Sequence, residues 1–535
     1  MRASFYPAHL SDEDCRLADI LASGGDERIE PDQQGHNKYG GTPWPREVVA
    51  FGSCTASQIS QRGWRAAGEA LHAFEKRAAE TSDIQAASEM GDHIRHELIH
   101  LLDARDLEGL EVVLCPSGTD AETIALHIVG CMGPEPIENI IVASREVGTG
   151  TVQAAGGRYF SKHVPNGQTR KPGEPVDAEL AARTKVHEVR VRIASSGARQ
   201  PEDVDAEIVG LTREGVARGA RVIVHVVPHT KTGLHAPRLA TVEQLLRDHG
   251  DRVIAIIDAA QGRFSRRGMR RYLSRGFMMI TTGSKLFGGP SFSGALLMPR
   301  PLASHLTGGG AYPPAFNDYL TPAQLPSHAK SLRASLVPQI NLGLLLRWQA
   351  AIHEMRAYYQ TPSDIRYRVL RFFESQVPAV LSASPYLELL YREPPVFDDT
   401  FDRLLESKTT VFSLRVKGGD GQQLDRSALL ICVTSLNADI RDQLPAGADD
   451  DLRQAAGTLF QVGQSVYVGE QVSGEQDHVI RVALGGCMIA DLASNESLGP
   501  TFEARLGWLD RQLQLLALKL GWIASSRSML TGSPR

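Results

Sequence analysis

Lys285 stands in the Gly/Ser-rich stretch ITTGSKLFGGPSFSGALLMP (residues 280–299), 27 residues after Asp258, which ends the apolar run of IAIIDAAQG (254–262). A lysine amine can hold an aldehyde as a Schiff base. A carboxylate facing the same group can keep a pyridine nitrogen protonated, so that the ring accepts electrons. That chemistry also needs an anion cradle, and one is readable in LEVVLCPSGTDAETIALHIVG (110–130). There an apolar strand, Leu110–Cys115, breaks at Pro116, and a helical pattern begins around Asp120. Ser117, Gly118 and Thr119 then lie at a helix N-terminus, where free N–H groups and the positive end of the helix dipole favour an anion. Amine, carboxylate and cradle together describe a site for pyridoxal 5'-phosphate.

The words SGTDAE (117–122), DAAQG (258–262) and TTGSKLFGGP (281–290), with HTKTGLHAP (229–237) and IRVALGG (480–486), resemble the fold-type I pyridoxal-phosphate enzymes. Within that family the likeness is to the branch of class V aminotransferases, cysteine desulfurases and related decarboxylases, and it runs from about Asn37 to Arg481. The resemblance implies that Lys285 carries the cofactor and that Asp258 faces the ring nitrogen. It implies Gln261 at the ring hydroxyl and Ser117, Gly118, Thr119, Thr282 and Ser284 around the phosphate. Arg481 is then the grip for a substrate carboxylate, with Tyr39 as a further substrate contact; His229 and Lys231 follow the strand RVIVHVV, where open α/β sheets put ligands, and are expected to touch substrate or cofactor, Lys231 being a poor Schiff-base candidate because it precedes Asp258. A homodimer is implied as well, in which Ser335 or Gly309, beside the loop GGGAYPP (308–314), reaches the neighbour's phosphate. Two positions depart from the family pattern. Val147 and Gly148 stand where relatives carry an aromatic ring or His over the cofactor, and Ser284 stands where many carry His before the lysine.

The elements that must position these residues are legible as apolar strands alternating with helical segments: LEVVLC, NIIVAS, RVIVHVV, RVIAIID, FMMITTG and GALLMP. This alternation predicts an α/β fold with a mostly parallel sheet covered on both faces. The resemblance makes that sheet the large domain of a fold-type I architecture, with a smaller C-terminal α/β domain. The expected organisation is an extended N-terminal arm over 1–50, a large cofactor-binding domain over 51–335, a bridging helix over 336–362 and the small domain over 363–535. Within the small domain TVFSLRVKG, LLICVTS and HVIRVALGG are expected as strands. Near the end, Phe502, Leu506, Leu509, Leu513, Leu516 and Leu520 recur at spacings of three and four, which predicts one apolar helix face. Residues 161–185 interrupt the alternation and are expected as a surface excursion.

A chain of 535 residues with 42% hydrophobic content can bury more than one core. A net charge of −5 carries no signature of nucleic acid or membrane, and no apolar run approaches the ~18 residues of a spanning helix. The six cysteines are dispersed without paired spacing, and the start, MRASFYPAHLSDEDC, lacks a basic-then-apolar signal pattern, so a cytoplasmic location is expected.

One motif points elsewhere. His96-Glu97-Leu98-Ile99-His100 spells HExxH, in which two imidazoles one helical turn apart can bind zinc while the glutamate activates water. Ile94, Leu98, Leu101 and Leu102 make the same segment an ordinary amphipathic helix, and no further His-bearing extension follows, so no metal is expected. The run RFSRRGMRRYLSR (263–275) holds six arginines, readable as an anion site or as a solvated helix face. No Cys lies in a flexible loop after Lys285, which argues against cysteine desulfuration. The reading that joins these parts is a Lys285-dependent enzyme acting on an amino acid or another primary amine. Aminotransfer comes first; decarboxylation, β- or γ-elimination, carbon–carbon bond formation, a noncatalytic cofactor-binding regulator and a zinc hydrolase are the alternatives.

Overall fold

The computed structural model describes residues 6–193, 197–306, 313–390, 408–470 and 474–531. Its strands in chain order are β1 (Val49–Phe51), β2 (Glu111–Cys115), β3 (Ile137–Val142), β4 (Thr184–Val189), β5 (Arg192–Ile193), β6 (Gly197–Ala198) and β7 (Arg221–Val226). There follow β8 (Val253–Ala259), β9 (Met278–Thr282), β10 (Gly294–Met298), β11 (Leu387–Leu389), β12 (Val411–Val416), β13 (Phe460–Glu470) and β14 (Gln476–Ala483).

Seven strands form the larger sheet in the order β2-β10-β9-β8-β7-β3-β4. Only β10 runs against its neighbours β2 and β9; the other pairings are parallel. Successive side chains of a strand point to opposite faces, so a strand covered on both sides must be apolar at every position. The packing follows this rule. Val112, Leu114, Val222, Val224, Ala255 and Ile257 enter one core, while Val113, Cys115, Ile223, Ile254 and Ile256 enter the other. Each fully buried Val, Leu or Ile contributes about 1.5–3 kcal/mol relative to exposure. This rigid sheet is what holds the loops at its carboxyl edge.

The smaller sheet has the order β1-β13-β14-β12-β11. Its first member comes from near the chain's start: β1 lies parallel to β13 with Val49 opposite Phe460. The remaining pairings are antiparallel. The helix Phe502–Ser525 buries Leu509, Leu513, Leu516 and Leu520, as their spacing predicts.

Three expectations need correction. LLICVTS is not a strand: it lies in the helix Arg426–Leu436, capped by the Asp425 side chain, with Leu429, Cys432 and Leu436 buried and Leu430 left 52% exposed. A seven-residue apolar run fits either element, and the spacing of three and four between its buried members decides for helix. The missing strand is β13, FQVGQSVYVGE, whose alternation is obscured by register shifts between Gly463 and Val466 and between Tyr467 and Gly469. The N-terminal segment is not extended throughout. It contains helix α1 (Asp12–Leu21), closed by a capping box between Ser11 and Asp14, and α1 buries Cys15, Leu17, Ala18 and Leu21. Ten helical residues are too few to mark a polar, Gly-rich stretch of fifty as anything but loop.

Candidate active site

A cavity of about 280 Å³ opens at the carboxyl ends of the parallel strands, where open α/β sheets hold ligands. Its volume lies close to the lower end of small-molecule pockets, about 300–1,000 Å³. The cavity is lined by Lys285, Asp258, Ser117, Gly118, Thr119, Gln261, Thr282, Ser284, Arg481, Tyr39 and His229, so eleven sequence-predicted residues converge. Ser335 does not join them within this chain. It ends the short helix Lys330–Ser335, exposed, with its hydroxyl donating back to the Leu332 carbonyl. Gly309 lies outside the described residues.

Lys285 sits in the turn that follows β9. The turn is clamped: Gly283 N–H donates to the Ser293 carbonyl at 2.8 Å and Gly289 N–H to the Gly283 carbonyl at 2.9 Å. Leu286 and Phe287 on its far side are each 1% exposed. Glycine is required here because a Cβ on Gly283 or Gly289 would stand 2.5 Å from the Ala351 Cβ. Asp258 is the penultimate residue of β8 and accepts from the Ala260 N–H at 3.1 Å. Burial lowers the Lys285 ammonium below its usual range, and the Asp258 charge opposes that shift.

The cradle is the N-terminus of α4 (Gly118–Gly130), two residues earlier than the sequence pattern suggests. The Ser117 hydroxyl caps it by accepting from the Asp120 N–H, and donates to the Asp120 carboxylate at 2.6 Å. That hydroxyl is committed to the cap, which leaves the first-turn N–H groups of Gly118 and Thr119 facing the cavity without an intrahelical acceptor. Gly148 keeps this corner open: a Cβ there would lie 2.8 Å from Thr151 Oγ1 and 3.1 Å from Thr119 Oγ1. Thr282 Oγ1 donates to the Ala260 carbonyl at 2.9 Å. Gln261 donates to the Cys54 carbonyl at 2.9 Å, while its Oε1 is buried with no hydrogen-bond partner.

Arg481 reaches the cavity from β14 of the smaller sheet and is 2% exposed. Its guanidinium donates to Thr55 Oγ1 at 2.7 Å and to the Gln464 carbonyl at 2.9 Å, with longer contacts of 3.4 Å to the carbonyls of Cys54 and Lys231. Every one of these acceptors is uncharged. His229 Nδ1 lies 2.9 Å from the Thr230 carbonyl. Val147 and Gly148, at the position where the family carries a ring, line the wall, and the aromatic side chains of the cavity are Tyr39 and Phe292.

Several lining residues were not legible in sequence. Arg28, from the loop after α1, pairs with Asp26 at 2.5 Å, reaches the Ser117 hydroxyl at 3.4 Å and lies over the Phe292 ring at 5.2 Å. Cys54, Thr55, Glu146 and Gln464 also line the wall. Nothing in their local spacing marks them, since each is delivered by a tertiary approach. Asp120, behind the cradle, has its carboxyl pushed up to about 7 by burial and by the neighbouring Asp26. Lys231, which like His229 follows the strand RVIVHVV where open α/β sheets put ligands, also lines the cavity. Burial, then Arg481 and Lys285, push its ammonium down to about 7.

The HExxH segment lies elsewhere, on α3 (Asp83–Leu101). Leu98 and Leu101 are buried, and the Glu97 carboxylate is ion-paired with Arg356. Among the described residues no three His, Cys, Asp or Glu side chains gather as a metal site. Arginines of the 263–275 run are also engaged: Arg263 with the Leu484 carbonyl and Ser53, Arg270 with Asp106 and Arg275 with Glu243. Among the described residues no helix is long and apolar enough to cross a membrane.

No family model and no curated protein matches the chain. Solved structures do. The cysteine desulfurase CsdA of Escherichia coli matches at 14% identity and a TM-score of 0.46, over 88% of this chain and 95% of its own. Mouse CSAD in apo form matches at 14% identity and 0.46, over 88% and 84%. A lysine variant of C-DES with glycine covalently linked to its pyridoxal-phosphate cofactor matches at 11% identity and 0.49, over 87% and 96%.

Proposed function

We propose that this chain is a pyridoxal-phosphate-dependent enzyme acting on an amino acid or another primary amine, with aminotransfer as its reaction. The observation that carries the reading is the convergence of Lys285, Asp258 and the α4 N-terminus on one cavity. The residues fit the cofactor. A dianionic phosphate suits the Gly118 and Thr119 N–H groups, in a corner that a Cβ at residue 148 would fill. The orphaned Gln261 Oε1 is an acceptor waiting for an O–H donor such as a ring hydroxyl.

When bound, pyridoxal phosphate supplies an aldehyde that links to an amine and a ring that takes up the electron pair of a bond broken at the adjacent carbon. Gly118, Thr119 and Ser284 would hold the phosphate by donating hydrogen bonds, and Thr282 would join them by turning to it the hydroxyl that donates to the Ala260 carbonyl. Asp258 would accept the hydrogen bond of the ring N–H and keep that proton in place. Lys285 Nζ, whose ammonium burial lowers below its usual range, would take a proton from the substrate's α-carbon and return it. Arg481 binds the α-carboxylate, which replaces the weak 3.4 Å contacts to the Cys54 and Lys231 carbonyls.

Aminotransfer comes first because it asks only for a lysine that moves one proton and an arginine that retains the carboxylate through both halves of the cycle. Decarboxylation, elimination or bond formation would use the same residues. The test incubates the holoenzyme with pools of amines and amino acids and reads products by mass. A keto acid together with a newly aminated acceptor supports aminotransfer; carbon dioxide, a shortened side chain or a lengthened product replaces it. We further propose a cytoplasmic homodimer, supported by free cysteines and by the family resemblance. A protein fully active as a dilute monomer would remove the dimer from this proposal.

A further inference from the structure

We propose that the substrate is an amino acid whose side chain carries a second anionic group, and that Lys231 is the residue that selects it. The inference rests on the pyridoxal-phosphate reading above and names its substrate class.

Lys231 is built into the wall by its neighbours. Its N–H donates to the Glu146 carbonyl at 3.0 Å, Thr230 N–H donates to the Leu234 carbonyl at 2.8 Å, and Gly233 supplies a φ of +92° to close the turn. The side chains on either side of it, Thr230 and Thr232, both donate to the Glu146 carboxylate. Arg192 takes the other oxygen of that carboxylate at 2.6 Å. Glu146 is therefore already bonded through both oxygens, and it attracts the Lys231 ammonium through space, as Asp258 does, without forming an ion pair with it. Among the described residues no carboxylate pairs with that ammonium.

The other charges on the wall divide simply. Arg28 is paired with Asp26. Glu122 Oε1 faces His225 at 3.2 Å and Asn139 at 3.3 Å, while its Oε2 is buried with no hydrogen-bond partner. Lys285 feels the Asp258 charge. Lys38 and Arg426 are exposed. Among the described residues two inner cations form no ion pair, Arg481 and Lys231, and they are close enough that Arg481 Nη1 touches the Lys231 carbonyl. A buried cation without a partner is unfavourable, and an amine in that position tends to lose its proton. An anion in the cavity reverses this. The forked guanidinium of Arg481 suffices for one carboxylate, so the adjacent ammonium answers to a second negative group: a carboxylate, a sulfonate or a phosphate.

Nonreacting acids test this without turnover. Binding to the holoenzyme is measured by calorimetry for butyrate, glutarate, 3-sulfopropionate and 3-phosphonopropionate, whose second anions separate the three sources. The wild type is expected to bind at least one dianion about tenfold or more tighter than butyrate, taking up a proton near neutral pH, seen as a dependence of the heat on buffer. Lys231→Met should bring the dianion-to-butyrate ratio close to one and abolish the proton uptake, while Lys231→Arg should keep the ratio. Arg481→Ala should weaken every ligand. Dianions that bind no tighter than butyrate, or a Lys231→Met protein that loses butyrate and dianion affinity alike, would overturn the proposal. A protein that takes up no pyridoxal phosphate and gains no borohydride-fixed label on Lys285 overturns the functional reading and this one with it. A loaded, labelled protein without the selectivity overturns this one alone.

Discussion

Arg481 of β14 donates through Nη1 to the backbone carbonyl of Lys231, 3.4 Å away. The contact crosses from the smaller sheet to a loop at the edge of the larger one and brings two cations to a cavity that Lys285 also lines. The relative placement of the two sheets therefore sets the charge of the site.

Replacing Lys285 by Ala should cut turnover by about 10²–10⁴-fold, the usual weight of a positioned acid–base group, or more if the covalent link is essential. Borohydride reduction of the wild type followed by peptide mapping should place the phosphopyridoxyl label on Lys285. A label on Lys231 would exchange the roles of the two lysines.

Lys231→Met should stabilise the protein freed of cofactor, by about 1–4 kcal/mol near pH 7, because an unpaired buried cation is replaced by an apolar chain of similar length. The pH dependence has a definite sign. The folded ammonium titrates near 7 and the unfolded one near 10.4, so between these values the unfolded chain binds more protons and rising pH stabilises the wild type. The advantage of the variant is full below about pH 7 and fades toward about pH 10. Urea unfolding at the two ends of that range measures it, and an advantage that grows with pH would contradict it.

Glu97→Gln should cost about 0.2–1 kcal/mol, the worth of a partly exposed ion pair with Arg356, and a chelator should leave activity intact. Metal analysis of the purified protein is the companion measurement. Stoichiometric zinc lost together with activity would restore the hydrolase reading.

Gly148→Ala should weaken pyridoxal-phosphate binding by roughly tenfold or more, since a Cβ 2.8 Å from Thr151 Oγ1 must displace the wall beside the cradle. Fluorescence titration of the apoprotein reads the loss directly. Unchanged affinity would move the phosphate away from this corner.

The sequence by itself determined six of the seven strands of the large sheet, all but the edge strand β4, and the candidate residues that lie near them. A strand buried on both faces must be apolar throughout, and an anion cradle needs a strand, a break and a helix start in immediate succession, so β2, β8, β9 and the Ser117–Thr119 turn are legible locally. The same logic failed where structure is set from a distance. The run 429–435 became a helix because of what Leu429, Cys432 and Leu436 meet, and β13 hid its alternation behind two register shifts. Arg28, Cys54, Glu146 and Gln464 enter the wall from separate segments, with no periodicity to announce them. Only the tertiary structure decided that Lys231 and Arg481, 250 residues apart in the chain, share one cavity in which, among the described residues, neither forms an ion pair with a carboxylate, because the partners of a charge are chosen by packing and not by neighbours in sequence.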